Sequence, residues 1–275
     1  MQAGDNATRW GPQGKRGAFS LTFDNFGEAA DLELGFAGDQ PIGRHPTADS
    51  LPDFLAIVKD LPVTYFIEAS NVGIYPEHIK RIRDAGVEIG LHAWRHENWG
   101  KQSEAQRKDI LQRSMAAFAT LGVKPKGFRP PGGVMPEGSL QEFAACGMTY
   151  CSPLGAAGDT RVESDVAIFP FAWPHVDAYM LDPRLGAFRA SFGDPEAVVS
   201  FPEWEKVLKE AVATALSGKH VTMIFHPFLF EPDAGMTEAL KALIRTLRAT
   251  PDLWLATCND VADWMLAQRR AAVAH

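Results

Sequence analysis

The stretch VTYFIEASNVGIYPEHIKRIRDAGVEIGLH (Val63–His92) decides the fold class. VTYFIEA (Val63–Ala69) is an apolar, β-prone run and reads as a strand. Pro76 stands where a first helical turn tolerates a residue without an N–H. Ile79, Ile82 and Ala85 then make one apolar face that stops at Gly86. VEIGLH (Val87–His92) reads as a strand again. Strand, helix and strand in one short span form a βαβ unit, which makes the two strands parallel.

The same rhythm runs outward in both directions. AFSLTF (Ala18–Phe23), KGFR (Lys126–Arg129), MTYC (Met148–Cys151), Ile168–Phe171, VTMIFH (Val221–His226) and LWLA (Leu253–Ala256) read as strands. Helical patterns occupy Leu51–Leu61, Leu140–Cys146, Glu238–Leu247 and Asp260–Arg270. Ser103 with Gln106, and Ser200 with Glu203, form capping boxes ahead of two longer helices. Strands alternating with helices predict an α/β protein, a parallel sheet with helices outside. No repeat and no long polar linker divides the chain. Residues 1–17 read as a polar, Gly-rich N-terminal arm, and residues 18–275 as a single domain.

Composition sets the outer bounds. The 275 residues are 46% hydrophobic and 22% charged, enough for a large core without disulfide staples. Lys and Arg number 27 against 34 Asp and Glu, a net charge of −7, which argues against a nucleic-acid partner. Three cysteines (Cys146, Cys151 and Cys258) without CxxC spacing argue against a disulfide framework or a zinc knuckle. No run approaches the roughly 18 apolar residues of a membrane span. The first residues lack the apolar core of a secretory signal, so a cytoplasmic location is expected.

The chemistry-bearing residues gather at strand ends. Asp24, His92, Arg129 and His226 each stand at or just beyond the C-terminal end of a predicted strand. In a closed (β/α) barrel those ends share one face, where active sites sit. HAWRHENW (His92–Trp99) spaces His92 and His96 by four, which brings both imidazoles to one side and suits a divalent metal. It is not HExxH, because Ala93 stands where that motif carries its base. In GFRPPGG (Gly127–Gly133), Pro130 and Pro131 stiffen the chain after Arg129, and the glycines let backbone approach a ligand. His226 ends a fully apolar strand, where a lone histidine is more often a satisfied core residue than a catalyst.

Taken together, these motifs resemble the polysaccharide deacetylase family, the NodB-homology carbohydrate esterases, over roughly Ser20–Phe228. The resemblance implies a distorted (β/α) barrel of seven or eight strands. It implies a hydrolase of non-peptide C–N bonds, with N-deacetylation of an N-acetylated sugar or related small amide as the reaction. Carried over, Asp24 resembles the general base and Arg129 the residue that orients it. His92 and His96 resemble the ligands of a divalent metal, zinc by preference. FAWPHVDAY (Phe171–Tyr179) looks like the motif carrying Trp173 as a pocket wall and Asp177 as an acid, and His226 resembles the proton donor. Trp94, Trp99, Pro130, Trp173 and Phe228 are the candidates for substrate contact, with a core role the competing reading for each aromatic.

One position departs from the family. Its first motif reads TFDDG, and the second aspartate is a metal ligand; here the chain reads TFDNF, with Asn25 at that place. An amide oxygen replaces a carboxylate poorly on Zn²⁺. A subgroup reading FDxDxE aligns Asp24 and Glu28 instead and puts Phe26 at the ligand position. HAWRHEN is similar to the HGYxHEN-type motif of allantoinase-like and cyclic-imide-hydrolysing relatives. Two further readings therefore stay open: a metal-free hydrolase of ureides or cyclic amides, and a non-catalytic carbohydrate-binding protein on the same scaffold. The loops Gly35–Ser50 and Gly155–Val166 are the expected seat of specificity.

Overall fold

Among the described residues, nine strands form one sheet: β1 (Gly17–Asp24), β2 (Val63–Ile67), β3 (Glu88–Leu91), β4 (Gly127–Phe128), β5 (Tyr150–Cys151), β6 (Arg161–Glu163), β7 (Val166–Ile168), β8 (His220–Phe225) and β9 (Leu253–Leu255). The structure is a computed structural model that describes residues 9–39, 41–230 and 234–273. Residues 1–8 of the stretch read as an arm, Gln40 of the Gly35–Ser50 loop, and residues 274–275 lie outside the described residues.

The order β6-β7-β5-β4-β3-β2-β1-β8 is parallel except for the edge pair β6–β7. One edge of β1 pairs with β8 along Ala18–Phe23. Its other edge is shared: β9 takes Gly17–Phe19, and β2 takes Leu21–Asp24. Beyond β7, an isolated bridge from Val176 to Ile224 brings the chain back to β8 and curls the sheet toward closure. This is the distorted (β/α) barrel that the motif order implied. Both capping boxes form, at the starts of the helices Glu104–Ala119 and Phe201–Leu216.

Among the features that the sequence reading misses, two stand out. The last strand of the first run lies at Val166–Ile168 rather than Ile168–Phe171, and the loop before it contains β6. Ser164 and Asp165 turn the hairpin with φ of 49° and 58°. Such two-residue turns favour Asn-Gly, so Ser-Asp announces little. The loop after β1 also carries a short helix, Ala29–Leu34, closed at Gly35.

Side-chain parity places the site. Strand residues alternate between the two faces of a sheet. In β1, Phe19, Leu21 and Phe23 join the large core between sheet and helices. Ser20, Thr22 and Asp24 point to the interior, where Ser20 meets His220 and Thr22 meets Arg129. In β2 the outward set is Val63, Tyr65 and Ile67, and in β3 it is Ile89 and Leu91. The lower interior is filled by Ala18, Phe66, Tyr150, Ala167 and Phe169. A Cβ on Gly127 would sit 1.9 Å from the Tyr150 ring, so only glycine lets β4 lie against that packing. Trp10 closes the lower end, its ring centroid 5.1 Å from that of Trp264.

Candidate active site

Six of the chemical groups are the last residue of a strand or the one just after it. Asp24 ends β1; Glu68, His92, Arg129, Ser152 and His226 directly follow β2, β3, β4, β5 and β8. All have the inward parity of their strands. They meet at the upper end of the barrel, above the layer of aromatic rings.

Arg129 is the hub of one side. Its Nη1 donates to Thr22 Oγ1 at 3.0 Å and to Asp24 Oδ1, and its Nη2 donates to Ser152 Oγ at 3.2 Å. The guanidinium lies 4.0 Å over the Phe66 ring. One buried cation thus fixes groups from β1, β4 and β5, and the Asp24 carboxylate is aimed by a charge-assisted bond. Asp177 and His226 form a second pair: Asp177 Oδ1 accepts from His226 Nδ1 at 2.5 Å, and its Oδ2 accepts from the His226 amide at 2.7 Å. Nδ1 is therefore the donor, and Nε2 is left for the cavity. Burial pushes the His226 imidazole down, but the Asp177 carboxylate beside it, helped by Asp24, outweighs that and holds it above its ordinary value. Asp177 itself is fully buried and reaches the cavity only through His226.

The other side is built differently. His92 Nδ1 donates to the Arg129 carbonyl at 2.8 Å, which fixes the tautomer and leaves Nε2 as a lone pair 3.9 Å from Asp24. Burial pushes the His92 imidazole down to about 3, so it is neutral in the working range. His96 faces it with ring centroids 4.8 Å apart, and burial carries its imidazole well below its ordinary value too. His96 sits on a backbone with φ of 75°, and Ala93 in the same loop has φ of 63°. A turn this tight, rather than a helix, is what brings the two rings together, at a cost of order 1–3 kcal/mol per strained residue.

A third group joins the histidines. A carboxylate oxygen of Glu68 and one nitrogen each of His92 and His96 all lie within 4.8 Å of one another. Glu68 is 0% exposed. Its Oε2 accepts long bonds from the Phe26 amide (3.3 Å) and Asn71 Nδ2 (3.4 Å), while its Oε1 has no partner. His96 Nδ1 and Asn25 Oδ1 are buried without partners as well. Burial raises the Glu68 carboxyl well above its ordinary value. Two neutral imidazoles and a carboxylate with orphaned atoms are a nitrogen-and-oxygen donor set of the kind that holds Zn²⁺. The residues present fit a divalent ion.

The cavity above these groups measures about 540 Å³. Asp24, Asn25, His92, His96, Arg129, Pro130, Trp173, His226 and Phe228 all line it, so the structure brings these expected residues together. Trp94 and Trp99 do not line it and are corrected here. Trp94 lies under the Arg113 guanidinium, 4.8 Å away, on the outside of the turn. Trp99 is buried against Phe128, with centroids 4.5 Å apart, and its amide donates to the Pro131 carbonyl. It ties the histidine loop to the Arg129 loop instead of touching a ligand. Glu28 accepts from Tyr75 Oη at 2.6 Å and from the Gly43 amide, so it pins a loop and takes no part in the metal-prone group. Glu68 was not singled out from sequence, yet it carries the signal that found the others: a polar residue at the upper end of an apolar strand.

Residues 13–151 match the sequence profile of the family described as polysaccharide deacetylase. The chain belongs to the polysaccharide deacetylase family. A peptidoglycan deacetylase-like protein of Gibberella zeae is 37% identical over 104 residues, which are 37% of this chain and 29% of that protein. The chain spans half or less of the length of such curated relatives. Among solved structures, a polysaccharide deacetylase from Mycobacterium smegmatis, described there as putative, superposes with a TM-score of 0.77, 24% identity and coverage of 96% of this chain and 94% of that one. An allantoinase superposes with a TM-score of 0.69 at 17% identity, covering 95% and 93%. These two likenesses concern the fold.

Proposed function

We propose that the chain is a metal-dependent hydrolase that removes the acetyl group from an N-acetylated amino sugar or a small amide of similar size. The observation that carries the reading is the convergence of Asp24, Arg129, His92, His96 and His226 on one cavity, each from its own strand end or the turn beyond it. His92 and His96 are the residues that would hold the divalent ion, whose chemistry there is Lewis-acid activation of water and of the acyl oxygen.

The chain's own residues supply the proton transfers. Asp24 accepts a proton from water as the water oxygen bonds to the acyl carbon, and the bond from Arg129 Nη1 keeps the carboxylate aimed. His226 Nε2 then gives a proton to the departing nitrogen as the C–N bond breaks, leaving acetate and the free amine. Its neighbour Asp177 holds the imidazole in the protonated form that this step consumes. Trp173, stacked on Tyr179 with centroids 4.7 Å apart, and Phe228 give an apolar wall suited to a sugar face or a flat ring.

A second reading, hydrolysis of a small cyclic amide or ureide, is favoured by the cavity walls. Ala30–Phe36 on one side and Trp173–Phe188 on the other rise around the site and leave room for a small molecule. The experiment measures acetate released from N-acetylglucosamine and its oligomers, and ring opening of cyclic imides and ureides, with and without chelator. Acetate release that chelator abolishes and Zn²⁺ restores is the expected result. Turnover of only the cyclic substrates moves the function to the second reading, and chelator-insensitive turnover removes the metal from both.

A further inference from the structure

We propose that Glu68 is the anionic metal ligand of this chain, in the place that the family gives to the aspartate replaced here by Asn25. The inference rests on the metal-dependent reading above and adds to it the one charged ligand that the first motif lacks.

Register explains how the carboxylate can change strands. β1 and β2 are parallel neighbours, with Asp24 paired to Phe66. Glu68, two residues beyond Phe66, therefore lies level with the chain just past Asp24. Its Oε2 accepts from the Phe26 amide, one residue past Asn25. A ligand offered from the end of β1 and one offered from the end of β2 thus reach the same space. Parity adds the direction: Thr64, Phe66 and Glu68 share the inward face, as Glu88, Gly90 and His92 do one strand further on.

Charge accounting gives the reason. The buried acids Asp24 and Asp177 each meet a protein partner, Arg129 and His226. Glu68 is fully buried and has no ion pair among the described residues. Its Oε1 has no donor. Burying a carboxylate on such terms is expensive unless a cation compensates it. The ligand-capable nitrogens of His92 and His96 are the groups that face it. Asn25, with a left-handed φ of 61° and its carbonyl accepting from Tyr65 Oη at 3.1 Å, can stay neutral because the charge is supplied from the next strand.

The test is Zn²⁺ and Co²⁺ binding by the purified full chain, measured by elemental analysis and competitive chelator titration. The variants are E68Q, N25D, the E68Q/N25D double and H92A. The expected result is tight binding by wild type, a loss of about a hundredfold or more in E68Q, and recovery of most of that loss when N25D is added. This exceeds the change usual for residues outside the ligand set, which is roughly 10–100-fold. Wild-type affinity in E68Q, together with loss in H92A, overturns the Glu68 assignment and leaves the histidine reading standing. Absence of binding in wild type overturns both. Should E68Q fail to fold, E68D keeps the charge and withdraws the oxygens by one methylene. Weakened Co²⁺ binding with shifted visible absorption bands is then expected, and an unchanged spectrum and affinity overturn the proposal.

Discussion

Two sides of one cavity floor handle charge in opposite ways. On the first, Asp24 meets Arg129 and Asp177 meets His226, and each pair is locked by further hydrogen bonds. On the second, Glu68, His92 and His96 lie within 4.8 Å of one another, yet carry orphaned atoms and, among the described residues, no internal cation. The first side balances its charges within the fold. On the proposed reading, the second is balanced by a positive charge from outside. Proximity of titratable groups is common to both, so proximity alone does not tell a proton-transfer device from a metal site. What separates them is whether the charges balance.

The largest expected effect sharpens this contrast on the first side. D24N removes the base but leaves its hydrogen-bonding shape, so kcat on the substrate found by the panel should fall by about 10³-fold, within the range for general-base loss. Metal content should stay at the wild-type level. A parallel loss of metal would merge the two sides into one and break the comparison.

Next in size is D177N. Losing the carboxylate beside His226 removes what holds that imidazole above its ordinary value. A general acid must be protonated to act, so activity falls as pH rises through its pKa, and lowering that pKa moves the alkaline limb of the kcat profile to lower pH. The limb should shift down by about one unit or more, since a unit corresponds to roughly 1.4 kcal/mol of electrostatic support. An unmoved limb assigns the proton to another group.

Stability provides a smaller and subtler test. In chelator-treated protein, E68Q should raise the melting temperature by roughly 2–4 °C, the response of a domain this size to about 1 kcal/mol. It removes a buried acid that folding must either desolvate as the carboxylate or protonate above its ordinary pKa. D177N should lower it, because it strands a partner that the protein had satisfied. Opposite signs for two buried acids are the direct thermodynamic form of the contrast, measured by thermal unfolding; equal signs remove it.

The smallest effect concerns the turn that brings the histidines together. Ala93 holds φ of 63° without the freedom of glycine. A93G should therefore leave stability unchanged or raise it by up to ~1 kcal/mol, with metal affinity retained. A clear loss in chemical denaturation would mean that the buried methyl matters more than the backbone.

Much of this was legible before the fold was known. The apolar runs with a polar residue at their upper ends located Asp24, His92, Arg129 and His226, because period-two alternation and strand-end chemistry are both written in local sequence. Glu68 carried the same mark and was passed over, since no motif drew attention to it and its partners lie 24 and 28 residues away along the chain, at His92 and His96. The side that Trp99 faces is hidden for a related reason. An aromatic near a histidine pair has no sequence signal for which side of a turn it faces, and here it faces Phe128. The β6–β7 hairpin was hidden because its turn uses Ser164 and Asp165 in place of the usual Asn-Gly pair.

The position of every reactive group at the edge of its strand has a consequence for how such a protein can diversify. Most of the atoms that carry out chemistry are anchored to the sheet, whereas the walls that admit or refuse a substrate belong to the segments beyond it, Ala30–Phe36 and Trp173–Phe188 among them. Scaffold and gatekeeper are thus largely separate modules, with Asp177, the partner of His226, the one group of the site that a wall segment contributes. Exchanging the segment between β7 and β8 for that of a relative should alter which amide enters while the spacing of Asp24, His92 and Arg129 holds. A lineage could in this way retarget the same hydrolytic centre from polymer ends to small metabolites without rebuilding it.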